Sequence, residues 1–249
     1  MKFIKICITG FLFIWFGIIC IFGNLLFCPI ILLGLQKYKF VRRFSRFLVR
    51  NAWGFFIFFT EFLGYQHSNA SILKTVGRPG EIIISNHPSL LDIVFFLSKI
   101  KNANCIVKGE LEKNIFLFAA IKACGYIPNT NNEEFLNKAC EALKNGEILV
   151  MFPEGSRTKD EIVFHKAAAY IAIKSAKYLT PIYLDMKPRS LKKGEAWYKT
   201  PANTINYKFK VLPSIQIDDF STQKPDPIRA RALHNCLKEI YNEEFKNDR

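Results

Sequence analysis

The sequence predicts an α/β fold: a mixed, mostly parallel sheet flanked by helices and preceded by an N-terminal two-helix membrane anchor. Two patterns carry this reading. No charged residue occurs from Ile6 to Gln36, and six cations follow by Arg50. After Gly64, short β-branched or aliphatic runs alternate with amphipathic segments, the pattern of strands connected by crossover helices. A length of 249 residues accommodates one such domain and an appendage, not two full enzymes.

The apolar run is long enough to cross a hydrocarbon core of about 30 Å, which needs about 20 residues. It is too long for the h-region of a secretory signal and is followed by no small-x-small cleavage site. Phe27 before Cys28 is too large for a lipoprotein processing site. Asn24 and Pro29 interrupt the run, so one kinked helix or a helix that enters and bends are both open. Lys37, Lys39, Arg42, Arg43, Arg46 and Arg50 are interleaved with Phe40, Val41, Phe44, Phe47 and Leu48. That composition suits a helix in the headgroup plane, and the cation cluster should face the cytoplasm. A second apolar stretch runs from Ala52 to Leu63. The expected division is residues 1–66 as anchor and 67–249 as the α/β domain.

Within the domain, the expected strands are Glu81–Ser85, Asn104–Val107, Glu147–Phe152, Pro181–Leu184 and Thr204–Val211. The expected helices are Leu111–Ala123, Glu133–Lys144, Phe164–Tyr178 and Pro227–Phe245. The last strands are expected to break the parallel rule with an antiparallel pair. No internal repeat is evident.

Half of the chain is hydrophobic, with 24 Phe and a formal charge of +14. Residues 1–66 hold eight Lys or Arg against one acidic residue, which places half of the net charge in about a quarter of the length. A cationic excess beside an apolar segment is drawn to a bilayer containing anionic lipids. No nucleic-acid recognition motif accompanies the charge, so no nucleic-acid partner is expected. The seven cysteines include no CxxC pair, so no disulfide framework or metal site is expected, and a reducing cytoplasmic setting fits.

The chemistry concentrates in two segments. In Ile82-Ile83-Ile84-Ser85-Asn86-His87-Pro88-Ser89-Leu90-Leu91-Asp92, a buried strand runs into a helix with Pro88 as its first residue. Asp92 then lies about a turn and a half into that helix, within reach of one His87 nitrogen. Such a carboxylate fixes the tautomer and leaves the other nitrogen as a general base. By itself the spacing is common, and a His capping a helix would look the same. In Leu149-Val150-Met151-Phe152-Pro153-Glu154-Gly155-Ser156-Arg157-Thr158, a second buried strand enters a Pro/Gly turn. Parallel strands place both turns on one sheet edge, where α/β sites form. Gly155 permits close backbone approach, and Arg157 offers a donor fork suited to phosphate.

Together the segments resemble the glycerolipid acyltransferase family, over roughly residues 67–190. The Asn-His-x4-Asp motif is matched by Asn86, His87 and Asp92, and Phe-Pro-Glu-Gly-Thr-Arg by Phe152 to Arg157, with Ser156 for Thr. Lys108 lies in a segment similar to the family's Lys-x-Glu-Leu. Gly125-Tyr126-Ile127-Pro128 and Thr180-Pro181-Ile182 occupy the remaining motif positions. The resemblance implies a membrane-bound O-acyltransferase with its catalytic domain on the cytoplasmic face. His87 is then the base and Asp92 its orienting carboxylate. Lys108, Glu154, Gly155, Ser156 and Arg157 are the expected substrate-binding residues. The implied donor is acyl carrier protein or acyl-CoA carrying the acyl group as a thioester, and no cofactor or metal is required. The implied acceptor is a lysophospholipid, 1-acylglycerol-3-phosphate first among them. Two departures stand out. Asn129-Thr130 replaces the Asp-Arg pair of phosphatidic-acid-forming members, and Ala167 replaces a common Gly. The first leaves a different, specialised lipid acceptor open. A lipid hydrolase using Ser156 or Ser89 is the other alternative, against which the Gly-x-Ser-x-Gly elbow is absent. A catalytically silent scaffold would leave His87 and Asp92 without a task.

Overall fold

The computed structural model describes residues 2–130, 132–158, 161–191, 194–220 and 223–247. Two long helices open the chain, α1 (Lys2–Leu32) and α2 (Lys39–Phe62). Helix α1 runs unbroken through Asn24 and Pro29. Pro29 forfeits one backbone donor, and the last turn closes over it through Leu33 N, which donates to Pro29 O at 3.0 Å. Gly34, at φ 69°, ends the helix in the left-handed conformation that glycine adopts without a Cβ penalty. Among the described residues α1 is the single helix long and apolar enough to cross a membrane.

Helix α2 has two different faces. Ser45, Arg46, Val49, Trp53, Phe56, Ile57 and Thr60 recur at helical spacing and are buried, whereas Phe44, Phe47, Phe55, Phe58 and Phe62 are exposed. The buried face packs on helices of the α/β domain, so α2 belongs to its core as well as to its apolar surface.

The sheet follows with β1 (Gln66–Ser68), β2 (Glu81–Ser85), β3 (Ala103–Lys108), β4 (Ile127–Asn129), β5 (Ile148–Met151), β6 (Tyr178–Lys187), β7 (Ile205–Val211) and β8 (Ile215–Gln216). Its order is β1-β7-β6-β2-β5-β3-β4, with β8 on β6. Strands β6, β2, β5, β3 and β4 are mutually parallel. Strand β7 is antiparallel to β6, as the sequence suggests for the end of the domain. The expected division at residue 66 falls inside β1, which pairs with β7 from Gln66 onward.

Side chains alternate between the two faces along each strand. Ile83, Val150, Ile182 and Leu184 face α1, α2, α3 (Asp92–Lys99) and α4 (Phe118–Cys124). Ile82, Ile84, Leu149 and Met151 face α5 (Glu133–Lys144), α6 (Ala167–Ser175) and α7 (Asp226–Asn247). All seven cysteines are free.

Several expected boundaries are corrected. Helix α3 begins at Asp92, not at Pro88, because the Asp92 carboxylate turns back to accept from Ser89 N and Ser89 Oγ. The expected helix 111–123 is split into a short 3₁₀ turn (Gly109–Lys113) and α4. Asn114 lies between them in extended conformation, and its side chain accepts from Phe116 N, a local bond that competes with a continuous helix. Helix α6 is shorter than expected at both ends. Residue 166 is spent on the turn that His165 N anchors to Pro153 O, and Tyr178 already belongs to β6.

Candidate active site

The C-terminal ends of β2, β5 and β3 lie side by side, which brings the turns after Ser85, Met151 and Lys108 to one edge. Asn86 extends β2 by one residue. Its amide accepts from Leu184 N and donates to Leu184 O, both at 2.8 Å, doing the work of a ladder pair with β6. The next residue is thereby fixed at the rim.

His87 is held through its backbone before its side chain acts. Its N–H donates to Glu154 Oε1 at 2.8 Å and to Thr158 Oγ1 at 3.1 Å, and its carbonyl accepts from Thr158 N at 2.7 Å. The imidazole stacks on the Phe152 ring, with centroids 4.4 Å apart. Its Nδ1 lies 2.7 Å from Asp92 Oδ2. Nε2 is left as the ring nitrogen able to exchange a proton with a ligand, and the side chain is 21% exposed. The geometry is that of a positioned general base.

Asp92 has no exposed surface and accepts all of its bonds locally. Besides His87, Ser89 N reaches Oδ2 at 2.7 Å and Ser89 Oγ reaches Oδ1 at 2.5 Å. As the first residue of α3, the carboxylate also sits where the helix dipole favours negative charge. Ser89 Oγ is in turn 3.1 Å from Tyr207 Oη, supplied by β7. The spacing of five residues works because residues 88–91 form a turn, not because they are helical.

The other sequence-predicted residues are placed less uniformly. Glu154 is buried and turned into the protein, where it accepts from His87 N and from Thr158 Oγ1 at 2.6 Å. Burial pushes its carboxyl up to about 7, against the bonds from Thr158 and His87 that favour the anion. Gly155 takes φ 63° and is exposed; a Cβ there would lie 3.6 Å from the His165 ring. Ser156 is half-buried. Arg157 donates Nη1 to Leu191 O at 2.5 Å, tying the β5 turn to the segment after β6. Lys108 ends β3 at the same edge, exposed and paired with Glu110 at 2.6 Å. Its register partner on β4 is Asn129, so the position departing from the family pattern lies beside the candidate phosphate-binding lysine. Among the described residues no group of three or more His, Cys, Asp or Glu could hold a metal ion.

Ser89, Thr158 and Tyr207 carry roles that sequence reasoning missed. Ser89 and Thr158 stand inside the two motifs, so their proximity to functional residues was a usable signal. Tyr207 lies 115 residues from Asp92 and had none.

The raised Glu154 carboxyl has a measurable consequence. A folded-state value above the usual 4.5 means that the folded protein binds this proton more tightly than the unfolded chain. Its stabilising contribution is therefore full at low pH and is lost as pH rises from about 4.5 through about 7. Glu154→Gln keeps the acceptor for His87 N and cannot ionise. Relative to this variant, the wild type is expected to lose on the order of 3 kcal/mol between pH 4 and pH 8. Parallel pH profiles of denaturant unfolding for the two proteins would refute this.

With the geometry in place, comparison with known proteins gives a consistent result. The Acyltransferase family model matches residues 66–185. Residues 66–185, just under half of the chain, are thus similar to that family. It is 32% identical over 110 residues to a chloroplastic 1-acyl-sn-glycerol-3-phosphate acyltransferase of Arabidopsis thaliana, covering 41% of this chain and 31% of that one. A putative lysophosphatidic acid:oleoyl-CoA acyltransferase of Schizosaccharomyces pombe is 25% identical over 118 residues, covering 45% and 39%. The matched region thus spans about a third of the length of these curated relatives. The crystal structure of the 1-acyl-sn-glycerophosphate acyltransferase PlsC from Thermotoga maritima superposes with a TM-score of 0.66. It shares 23% identity and covers 98% of this chain and 97% of its own, a likeness of fold that includes the N-terminal helices. Tyr207 and the brace at Leu191 lie beyond the family match.

Proposed function

We propose that this protein is an acyltransferase that moves a fatty acyl group from acyl carrier protein or acyl-CoA to the free hydroxyl of a lysophospholipid, with 1-acylglycerol-3-phosphate as the leading acceptor. The observation that carries the reading is the His87–Asp92 pair at 2.7 Å on the sheet edge, with Nε2 uncommitted. His87 Nε2 takes the hydroxyl proton as the oxygen attacks the thioester carbonyl. Asp92 holds the ring's tautomer and offsets the imidazolium charge. Collapse of the tetrahedral intermediate expels the thiolate, which recovers the proton from His87. Backbone amides in the turn at Gly155 are suited to the oxyanion, and Lys108 with Arg157 to an acceptor phosphate. The relatives named above, whose names give lysophosphatidic acid as acceptor, support that choice. A specialised acceptor remains the alternative reading, favoured by Asn129 beside Lys108 and by Thr130, whose hydroxyl donates to Asn132 at 2.7 Å.

The test is purified full-length protein given a labelled acyl thioester and a panel of lysolipids, read by mass spectrometry. Label is expected in a diacyl product that depends on the lysolipid, and highest with 1-acylglycerol-3-phosphate. Free fatty acid formed without any lysolipid would make the protein a hydrolase instead.

The same reading puts residues 1–66 on the cytoplasmic face of a bilayer containing anionic lipids. Helix α1 is packed on the domain at Leu12, Cys20 and Phe27 and bonded to it from Lys5 to Thr204 and from Asn24 to Ile115 O. A helix attached along so much of its length supports lying at the membrane surface with its other face in lipid. Within the Lys37–Arg50 cluster the exposed cations are Lys37, Lys39 and Arg43. Their replacement by Gln is expected to weaken binding to anionic vesicles at least tenfold, at about 1 kcal/mol per cation, and to spare neutral vesicles. Equal loss on both vesicle types in a sedimentation assay would assign these residues another task.

A further inference from the structure

We propose that Trp197 and Tyr198 form a second membrane contact, an aromatic anchor in the headgroup layer that sets how the catalytic edge sits on the bilayer. The inference deepens the membrane-surface reading of α1 and rests on it. The two residues belong to the connection between β6 and β7, which leaves the sheet at the catalytic edge. Both are large, apolar and exposed, at 46% and 52%.

Their surroundings identify the occupant. A Cβ built on Gly10 would lie 3.2 Å from the Trp197 ring, so the absence of a side chain there lets the indole lie close against α1. The Trp197 ring also meets Phe13, centroids 6.3 Å apart, and Tyr198 stands edge-on to it at 5.8 Å. Phe11, Phe13 and Ile14 on the same stretch of α1 are exposed. The loop's apolar surface is therefore continuous with the face that α1 presents to lipid. It is also tied in register. Lys5 Nζ donates to Gly64 O at 2.7 Å, and the buried Tyr65 hydroxyl faces Thr9 of α1 together with Ser190 and Thr200 from the two stems of the connection. If α1 rests in the interface, Trp197 is carried to the same depth.

The chemistry of the pair selects that depth. Indole N–H and phenol O–H need polar partners while the rings favour an apolar medium, which is why both residue types concentrate where acyl chains meet headgroups. Lys199, exposed directly after them, adds a cation suited to lipid phosphate.

The experiment uses full-length protein carrying Trp15→Phe and Trp53→Phe, which leaves Trp197 as its single tryptophan. Circular dichroism and acyl transfer establish that the variant is folded. On phosphatidylcholine–phosphatidylglycerol vesicles, Trp197 emission is expected to move to shorter wavelength. Phosphatidylcholine brominated near the headgroup should quench it more than phosphatidylcholine brominated deep in the chains. In the otherwise native protein, Trp197→Ala with Tyr198→Ala is expected to lower vesicle partitioning about tenfold. A protein that sediments with vesicles while Trp197 stays unshifted and unquenched would overturn the anchor and leave the docking of α1 standing. Failure to sediment at all would remove the membrane-surface reading itself, and this inference with it.

Discussion

His87→Ala is expected to lower kcat for acyl transfer on the order of 10³-fold, because it removes the positioned base from the reacting oxygen. The fold should survive the change. The bonds that place residue 87 run from its backbone to Glu154 and Thr158, and an alanine keeps them. Only the stack on Phe152 and the bond to Asp92 are lost. Asp92→Asn should cost between about 10²- and 10⁴-fold for a different reason. The Asp92 carboxylate accepts from His87, Ser89 N and Ser89 Oγ. An amide cannot accept on both sides. Turned with its NH2 toward His87, it forces the proton onto Nε2, the wrong tautomer for a base. Turned the other way, its NH2 replaces Oδ1, and the Ser89 hydroxyl that donates there must turn to accept. Steady-state kinetics with a labelled thioester, beside circular dichroism of each variant, checks both expectations. Turnover of His87→Ala near the wild-type rate would sink the mechanism.

Arg46→Ala is expected to destabilise the protein by about 3 kcal/mol, with a melting temperature lower by about 6–12 °C. Sequence reasoning grouped Arg46 with the cations meant for anionic lipid. In the structure it is 3% exposed and faces inward from α2. Its Nε donates to Cys124 O at 2.8 Å, at the end of α4, and Nη2 pairs with Glu147 Oε2 at 2.8 Å. Glu147 also accepts from Asn104 at 3.0 Å. Removing the guanidinium strips a helix-terminal carbonyl of its donor and leaves a carboxylate that is only 11% exposed without its cation. That uncompensated charge is the larger part of the cost. The paired change Arg46→Met with Glu147→Gln removes both charges, keeps an acceptor for Asn104, and should recover more than half of the loss. A double variant no more stable than Arg46→Ala, measured by thermal unfolding, would show that packing and not charge dominates.

These two residues mark where sequence legibility ended. Asn86, His87 and Asp92 were readable because their geometry is local. A strand end, a turn and a helix start lie within seven residues, and the chemistry of imidazole and carboxylate constrains them further. The Phe152–Arg157 turn was readable because a buried strand must surface somewhere, and parallel strands surface together. The short strands β1, β4 and β8 were not. Two or three residues carry too little periodicity, and what makes them strands is the partner edge on β7, β3 and β6. Glu154 shows the limit for individual roles. A motif glutamate on a turn reads as a ligand contact, yet its carboxylate spans from β5 to the His87 backbone, a distance in space that no spacing encodes.

The sequence by itself determined what depends on neighbours along the chain: an apolar run without charge from Ile6 to Gln36, strands alternating with helices, and a histidine placed five residues from an aspartate. The tertiary structure alone decided which side of each element meets protein. It turned Arg46 inward to Glu147 while Arg43, three residues earlier, stayed exposed. It brought Tyr207 from an antiparallel strand to Ser89, and laid Trp197 against Gly10. The physical reason is common to all three. Hydrogen bonds, ion pairs and ring contacts depend on separations of a few ångströms, and those separations between distant residues exist only once the sheet has assembled and its helices have packed.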